Sequence, residues 1–208
     1  MLTVSLGTML FGLTEPLFVP EYWSPPSLFN LAEKTGFDIE SFIFSFAIGG
    51  IGSVIYQLVF PSVPNPLNEQ ERLTTRHRFH LLMLFLPFVV FPLLAFVTNL
   101  NHIYCGILAL SAGALATLYC RPDLTRKILM GGVLFAILYS FYFGSILIFF
   151  PEYVRTYWNL NELSNVLILG IPLEELLFGF TFGMYWSGVY EHFTWYALSS
   201  RDQGARKI

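Results

Sequence analysis

Gly170-Ile171-Pro172-Leu173-Glu174-Glu175-Leu176-Leu177-Phe178-Gly179-Phe180 sets two adjacent carboxylates in an apolar run that meets no Lys or Arg until Arg201. An acid in such a run is costly unless it is protonated, paired or put to use. A related stretch, Gly36-Phe37-Asp38-Ile39-Glu40-Ser41-Phe42-Ile43-Phe44-Ser45-Phe46, aligns with it at a constant offset of 134 residues. Seven identities accumulate between Gly36 and Tyr56: Gly36/Gly170, Glu40/Glu174, Phe44/Phe178, Phe46/Phe180, Gly49/Gly183, Ser53/Ser187 and Tyr56/Tyr190. That pattern points to an internal duplication.

Composition decides the solvent. The chain is 55% hydrophobic and only 12% charged, against roughly 25% charged in a soluble domain. Long apolar segments run over about Met1–Val19, Phe37–Phe60, Phe79–Thr98, Ile103–Cys120, Ile128–Phe150 and Leu163–Tyr196, each close to the roughly 20 residues of a helical crossing. The runs are continuous rather than alternating, which excludes a strand barrel. The fold class expected is all-α: a polytopic transmembrane helical bundle of about six spans, with two parallel repeats joined by a linker helix.

Sidedness follows from the basic residues, because Lys and Arg concentrate in cytoplasmic loops. Arg72, Arg76, Arg78, Arg121, Arg126, Lys127, Arg201, Arg206 and Lys207 fall on one side and only Lys34 and Arg155 on the other. With an even number of spans, both termini are expected in the cytoplasm, in an integral protein of a bacterial-type inner membrane. The first apolar segment has neither a basic leader nor a small-residue cleavage site, so it reads as a retained span.

Four regions result: residues 1–60 as a first repeat unit without a leading helix, 61–100 as a basic loop and linker helix, 101–196 as a second unit, and 197–208 as a cytoplasmic tail. Pro20-Glu21-Tyr22 before the second span echoes Pro151-Glu152-Tyr153 before the sixth. Corresponding helices lie four spans apart and therefore cross in the same direction. The second unit has an additional helix, about Ile103–Cys120, ahead of the shared pair. Either its counterpart in the first unit has been lost, or the chain as given starts late. In the linker helix, Pro87 and Pro92 are expected to kink the backbone.

The carboxylates are the candidate chemistry. By this topology Glu15, Asp38, Glu40, Glu174 and Glu175 share one half of the membrane, and no span supplies a Lys or Arg to pair with them. A helix beginning at Pro172 would place Glu174 and Glu175 in its first turn, where its dipole favours an anion. One beginning near Leu163 would be kinked at Pro172. Adjacent residues project about 100° apart, so the two glutamates can face different partners. Phe44 and Phe178 each follow a glutamate by four residues and share its helical face; an acid beside an aromatic ring suits protonation of a hydrocarbon and shielding of a carbocation. The competing structural reading is that these carboxyls hydrogen-bond neighbouring helices or cap a broken one.

Other features read as packing. Gly49-Gly50-Ile51-Gly52 lacks the strand and third glycine of a phosphate loop and suits close helix approach. Cys105 and Cys120 are too far apart for a local metal motif. His77 and His80, within Arg76-His77-Arg78-Phe79-His80, could be taken for a metal pair, but a basic anchor at the start of a span explains them better. No metal and no cofactor is expected.

Pro172-Leu173-Glu174-Glu175-Leu176-Leu177-Phe178, preceded by Pro151-Glu152-Tyr153 and followed by Tyr190-Glu191, resembles the membrane-integral lycopene cyclases, which occur as paired small subunits in some bacteria or as fused chains. The resemblance covers most of Ile103–His192 and, more weakly, Met1–Phe60. It implies three-helix units joined by a linker helix and a non-redox isomerisation that closes a terminal ring on a linear carotene. It also implies catalytic roles for Glu174 and Glu175, with Glu40 as their equivalent; from their own positions in the sequence, Phe44, Phe178, Asp38 and Glu15 are expected to contact substrate. The first unit departs from the motif, with Asp38-Ile39-Glu40-Ser41 in place of Pro-x-Glu-Glu. That departure leaves room for one working centre, a different isoprenoid, or lost catalysis. The partners expected are a hydrophobic isoprenoid and the lipid bilayer, with no nucleic acid; a partner subunit or a homo-oligomer stays open. Two alternatives remain, a proton-coupled transporter and a non-catalytic carotenoid-binding protein.

Overall fold

The computed structural model describes residues 1–200, so Arg201, Arg206 and Lys207 of the expected tail lie outside the described residues. Six helices dominate: α1 (Leu2–Phe18), α2 (Ile39–Val59), α3 (Leu86–Val97), α4 (His102–Cys120), α5 (Pro122–Phe149) and α6 (Leu173–Thr194). Three of them, α2, α4 and α5, are long and apolar enough to cross a membrane. The apolar helices α1 and α3 are shorter, and α6 carries Glu174, Glu175 and Glu191 among its 22 residues. Its acids are buried against the other helices, so protein groups rather than lipid surround them.

Backbone breaks fall where prolines demand them. In α1 the helix tightens to a 3₁₀ stretch over Leu10–Thr14, ahead of Pro16, whose ring would clash with the carbonyl four residues back. A short helix, His80–Leu84, is separated from α3 at Phe85, two residues before Pro87. The freed Leu84 carbonyl accepts a hydrogen bond from Tyr185 Oη of α6, which satisfies a buried backbone group. Pro92 lies inside α3 as expected.

Helices α1 and α2 pack as one pair, and α5 and α6 as another. Each contact is made over glycine: a Cβ at Gly49 would lie 2.0 Å from Thr8 Oγ1, and one at Gly183 would lie 2.4 Å from the Phe135 Cβ. The expected packing role of the Gly49–Gly52 run is therefore met at Gly49. Helix α6 also lies against α4 and α2, and α3 against α4.

Several residues 134 apart share a local conformation or touch one another. Gly36 (φ +79°) and Gly170 (φ +83°) both adopt the left-handed conformation just before a helix, and Glu40 and Glu174 are each the second residue of that helix. Ser53 and Ser187 both return a hydrogen bond to the carbonyl three residues back. Gln57 Nε2 donates to Glu191 Oε1 at 2.9 Å, joining two positions that are themselves 134 apart. Beyond the helices, strand β1 (Ser62–Pro66) pairs antiparallel with β4 (Tyr196–Ser200), with Pro64 opposite Leu198, again 134 residues away.

The structure makes two expectations specific and corrects a third. Of the two starts open for the last helix, the one at Pro172 is found and the one near Leu163 is not: residues 163–172 form a loop carrying a hairpin of β2 (Leu167–Ile168) and β3 (Ile171–Pro172), because Leu169 and Gly170 turn the chain with positive φ. Residues 196–200, at the junction of the second unit and the expected tail, form β4. Arg121 and Lys127, counted among the loop cations, are buried; Arg121 pairs with Asp123 at 2.6 Å and Lys127 with Glu191 at 2.6 Å. Burial without those carboxylates would leave uncompensated charge.

Candidate active site

The hairpin delivers the site. Leu173 N–H donates to the Val166 carbonyl at 2.9 Å, extending the β2–β3 pairing to the first residue of α6, and Pro172 stands as N-cap. Glu174 and Glu175 thus occupy the second and third positions of the first turn, near free backbone N–H groups. They diverge as adjacent helical residues must.

Glu175 turns into the protein and is 4% exposed. Its Oε1 accepts hydrogen bonds from Tyr22 Oη and from Trp158 Nε1 at 2.9 Å, and its Oε2 accepts one from Tyr139 Oη at 2.8 Å. A carboxylate is acceptor-only with about four lone-pair sites, so three neutral donors suit it. Burial, and then the charge of Glu175, pushes the Tyr22 phenol well above its usual range, which keeps that hydroxyl a donor.

Glu174 turns the other way. Its Oε1 accepts from Tyr104 Oη at 2.6 Å and from the Ser164 backbone N–H at 2.9 Å. It ties the incoming loop to α4 and does not line the cavity that Glu175 faces.

That cavity, about 880 Å³, lies between α1, α2, α3, α4, α5 and the head of α6. Glu15, Asp38, Glu40 and Glu175 line it together, and no Lys or Arg does so among the described residues. Of the remaining wall, Phe44 and Phe178 form part, joined by Tyr139, Tyr142, Phe143, Trp158, Phe182 and Trp186. Tyr139 lies between the two phenylalanines, 6.4 Å from the Phe44 ring and 6.1 Å from that of Phe178. Rim residues Leu17, Ile43 and Phe88 are 42%, 63% and 45% exposed, so the mouth presents apolar side chains to the surroundings.

The four cavity acids are held differently. Asp38 caps α2, accepting from Ser41 N–H at 2.6 Å. Glu40 accepts from Leu28 N–H at 2.6 Å and is exposed, contrary to the expectation of a buried acid: the loop over Leu28–Asn30 leaves the first turn of α2 open. Glu15 is buried, and its Oε1 has no hydrogen-bond partner among the described residues.

Over the cavity, the two Pro-Glu-Tyr loops meet. Ser24 N–H donates to the Tyr157 carbonyl at 2.8 Å, Asn159 N–H donates to the Tyr22 carbonyl at 3.0 Å, and Trp23 forms an isolated bridge with Trp158. This cover carries Tyr22 and Trp158 to Glu175. Tyr22 belongs to a repeated sequence pattern and was visible in it. Nothing local marks Trp158, Tyr139 or Tyr104, which lie 17, 36 and 70 residues from the glutamates they serve.

At the far end of α4, the histidines read as an anchor meet a cysteine. His77 Nδ1 is 3.3 Å and His80 Nδ1 3.4 Å from Cys120 Sγ. Burial, followed by the Arg121 guanidinium, holds His77 below the usual imidazole range.

Compared with known proteins, the chain finds no match among curated proteins or solved structures. A family model does match, over a region that includes Glu174 and Glu175 with Tyr104, Tyr139 and Trp158: residues 101–193 of this chain match the lycopene cyclase family.

Proposed function

We propose that this protein is a membrane-embedded carotenoid cyclase that closes a terminal ring on a linear, lycopene-type isoprenoid by acid-catalysed, non-redox cyclisation. The family match supports the carotenoid class. The observation that carries the chemistry is Glu175, held on the wall of an apolar, aromatic-lined cavity by three neutral donors and, among the described residues, by no cation. A wall with four carboxyl groups and no base disfavours an anionic ligand and favours a cationic intermediate.

In this reading the polyene enters sideways past Leu17, Ile43 and Phe88, because a hydrocarbon dissolved in lipid needs an apolar mouth. A carboxylic acid adds a proton to the terminal double bond. The tertiary cation is attacked by the neighbouring alkene, which closes the ring, and loss of a proton leaves a new double bond. Composition is unchanged, so no oxidant or reductant takes part. Glu15, buried on the cavity wall near Asp38, is the proton donor; Glu175 is the anion that steadies the cation and takes the departing proton. Two carboxyls in unlike surroundings commonly divide such work. Faces of Phe44, Tyr139 and Phe178 shield the charge. Glu174 and Glu40 are positioning residues that hold the loops at Ser164 and Leu28.

The same reading takes all six helices as spans and residues 134 apart as two parallel repeats, with both termini on the cytoplasmic side. Accessibility of terminal tags only from that side is the expected outcome; termini on opposite faces would reject the span count. Activity is tested by co-expression with linear-carotene synthesis and chromatography of the extracted pigments. A cyclic product that disappears with Glu175→Gln supports the proposal. Linear pigment bound and recovered unchanged would instead identify a binding protein.

A further inference from the structure

Outside the cavity, one cluster joins three residues with no assigned task. His77 and His80 lie on either side of the turn that leads into α3, and Cys120 is the last residue of α4. Their ligand atoms all lie within 4.8 Å of one another. Around a tetrahedral zinc ion, Zn–N of about 2.0–2.1 Å and Zn–S of about 2.3 Å put N and S roughly 3.6 Å apart. The observed N···S separations of 3.3 and 3.4 Å fall a few tenths short of that.

The surroundings orient the ligands. His80 Nε2 lies 2.9 Å from the His192 carbonyl, an oxygen that can only accept, so Nε2 carries the hydrogen and Nδ1 presents its lone pair to Cys120 Sγ. A ring N–H fixed by a carbonyl is the usual support for a metal-bound imidazole. The Trp195 ring stacks on His80 at 3.6 Å between centroids and an angle of 11°, fixing the ring plane. Arg121 follows Cys120 directly, but Asp123 binds its guanidinium through two hydrogen bonds of 2.9 and 2.6 Å. Its charge is thereby offset. His80 and Cys120 are buried while His77 is half-buried, which gives a cation an approach from the His77 side.

We infer that His77, His80 and Cys120 form a binding site for a thiophilic divalent cation of the zinc class, completed by water. Two imidazoles and one thiolate suit zinc and cobalt and exclude magnesium and calcium, which take oxygen donors. The ion would join the turn before α3 to the end of α4 and, through His80, to the end of α6. This site is remote from the carboxylates and does not depend on the proposed reaction.

Cobalt is the probe, because a thiolate ligand gives Co²⁺ a near-ultraviolet charge-transfer band. The full chain, purified in detergent and freed of metal by a chelator, should bind one equivalent of Co²⁺ with that band, and Zn²⁺ should displace it. Cys120→Ser should abolish the band, His77→Gln should weaken binding by at least about tenfold, and Cys105→Ser should leave both unchanged. Zn²⁺ should also raise the melting temperature of the parent protein and not that of Cys120→Ser. Absence of the band in the parent chain, its persistence in Cys120→Ser, or equal loss in Cys105→Ser would each overturn the site. Since His77 lies in a half-buried turn, His77→Gln tests the assignment even if Cys120→Ser does not fold.

Discussion

The heads of α2 and α6 share part of their geometry and carry different chemistry. Both follow a left-handed glycine, and in both the second helical residue is a glutamate that accepts a backbone N–H from the preceding loop: Leu28 at 2.6 Å for Glu40 and Ser164 at 2.9 Å for Glu174. They separate at the third residue, Ser41 in α2 and Glu175 in α6. Only there does the second head place a carboxylate into the cavity with three side-chain donors around it. What recurs between the two heads holds a loop, and the carboxylate with three side-chain donors belongs to α6 alone. Repetition of an acid in sequence therefore marks a structural need as readily as a chemical one.

The largest expected effect breaks the comparison at its third position. Glu175→Gln preserves the shape but removes the charge, and ring formation should fall at least about a hundredfold, within the range for loss of an acid or base group. Pigment analysis at equal membrane abundance measures it, and normal turnover would move the centre elsewhere. Next comes Tyr139→Phe, which takes one donor from Glu175. A hydrogen bond to a charged group contributes about 1.5–3 kcal/mol, so product formation should drop about tenfold or more, and an unchanged rate would show that the donor set does not act on the reaction.

Smaller effects sharpen the second position. Glu174→Ala should lower activity about tenfold by releasing the loop at Ser164, while Glu174→Gln, whose amide oxygen can still accept both hydrogen bonds, should recover to within about threefold of the parent. Equal loss in Ala and Gln variants would make Glu174 an acid in the reaction. Glu40→Gln, at the exposed head of α2, should cost no more than about threefold, on the scale of one neutral hydrogen bond. A loss matching that of Glu175→Gln would give both heads the same chemistry.

Much of this was legible before any coordinates. Continuous apolar runs announce helices in lipid, and the α2, α4 and α5 runs are long enough to cross. The break before Glu174 follows from a glycine and a proline in an overlong segment, and the Gly49 contact from a small-residue run. Local signals of this kind survive in sequence because backbone geometry depends on neighbours along the chain.

What sequence could not resolve was direction and partnership. Glu174 and Glu175 are equivalent by composition, and only packing shows that one faces Tyr104 and the other Tyr22, Tyr139 and Trp158. Arg121 and Lys127 counted as loop charges until they were found buried, paired with Asp123 and Glu191. His77 and His80 read as an anchor until the end of α4 brought Cys120 between them. The sequence by itself determined an apolar helical chain with acids at two matching helix heads, because hydrophobicity and turn chemistry are local. Only the tertiary structure decided which acid faces the cavity, since hydrogen-bond direction and burial depend on side chains up to 153 residues away in the chain.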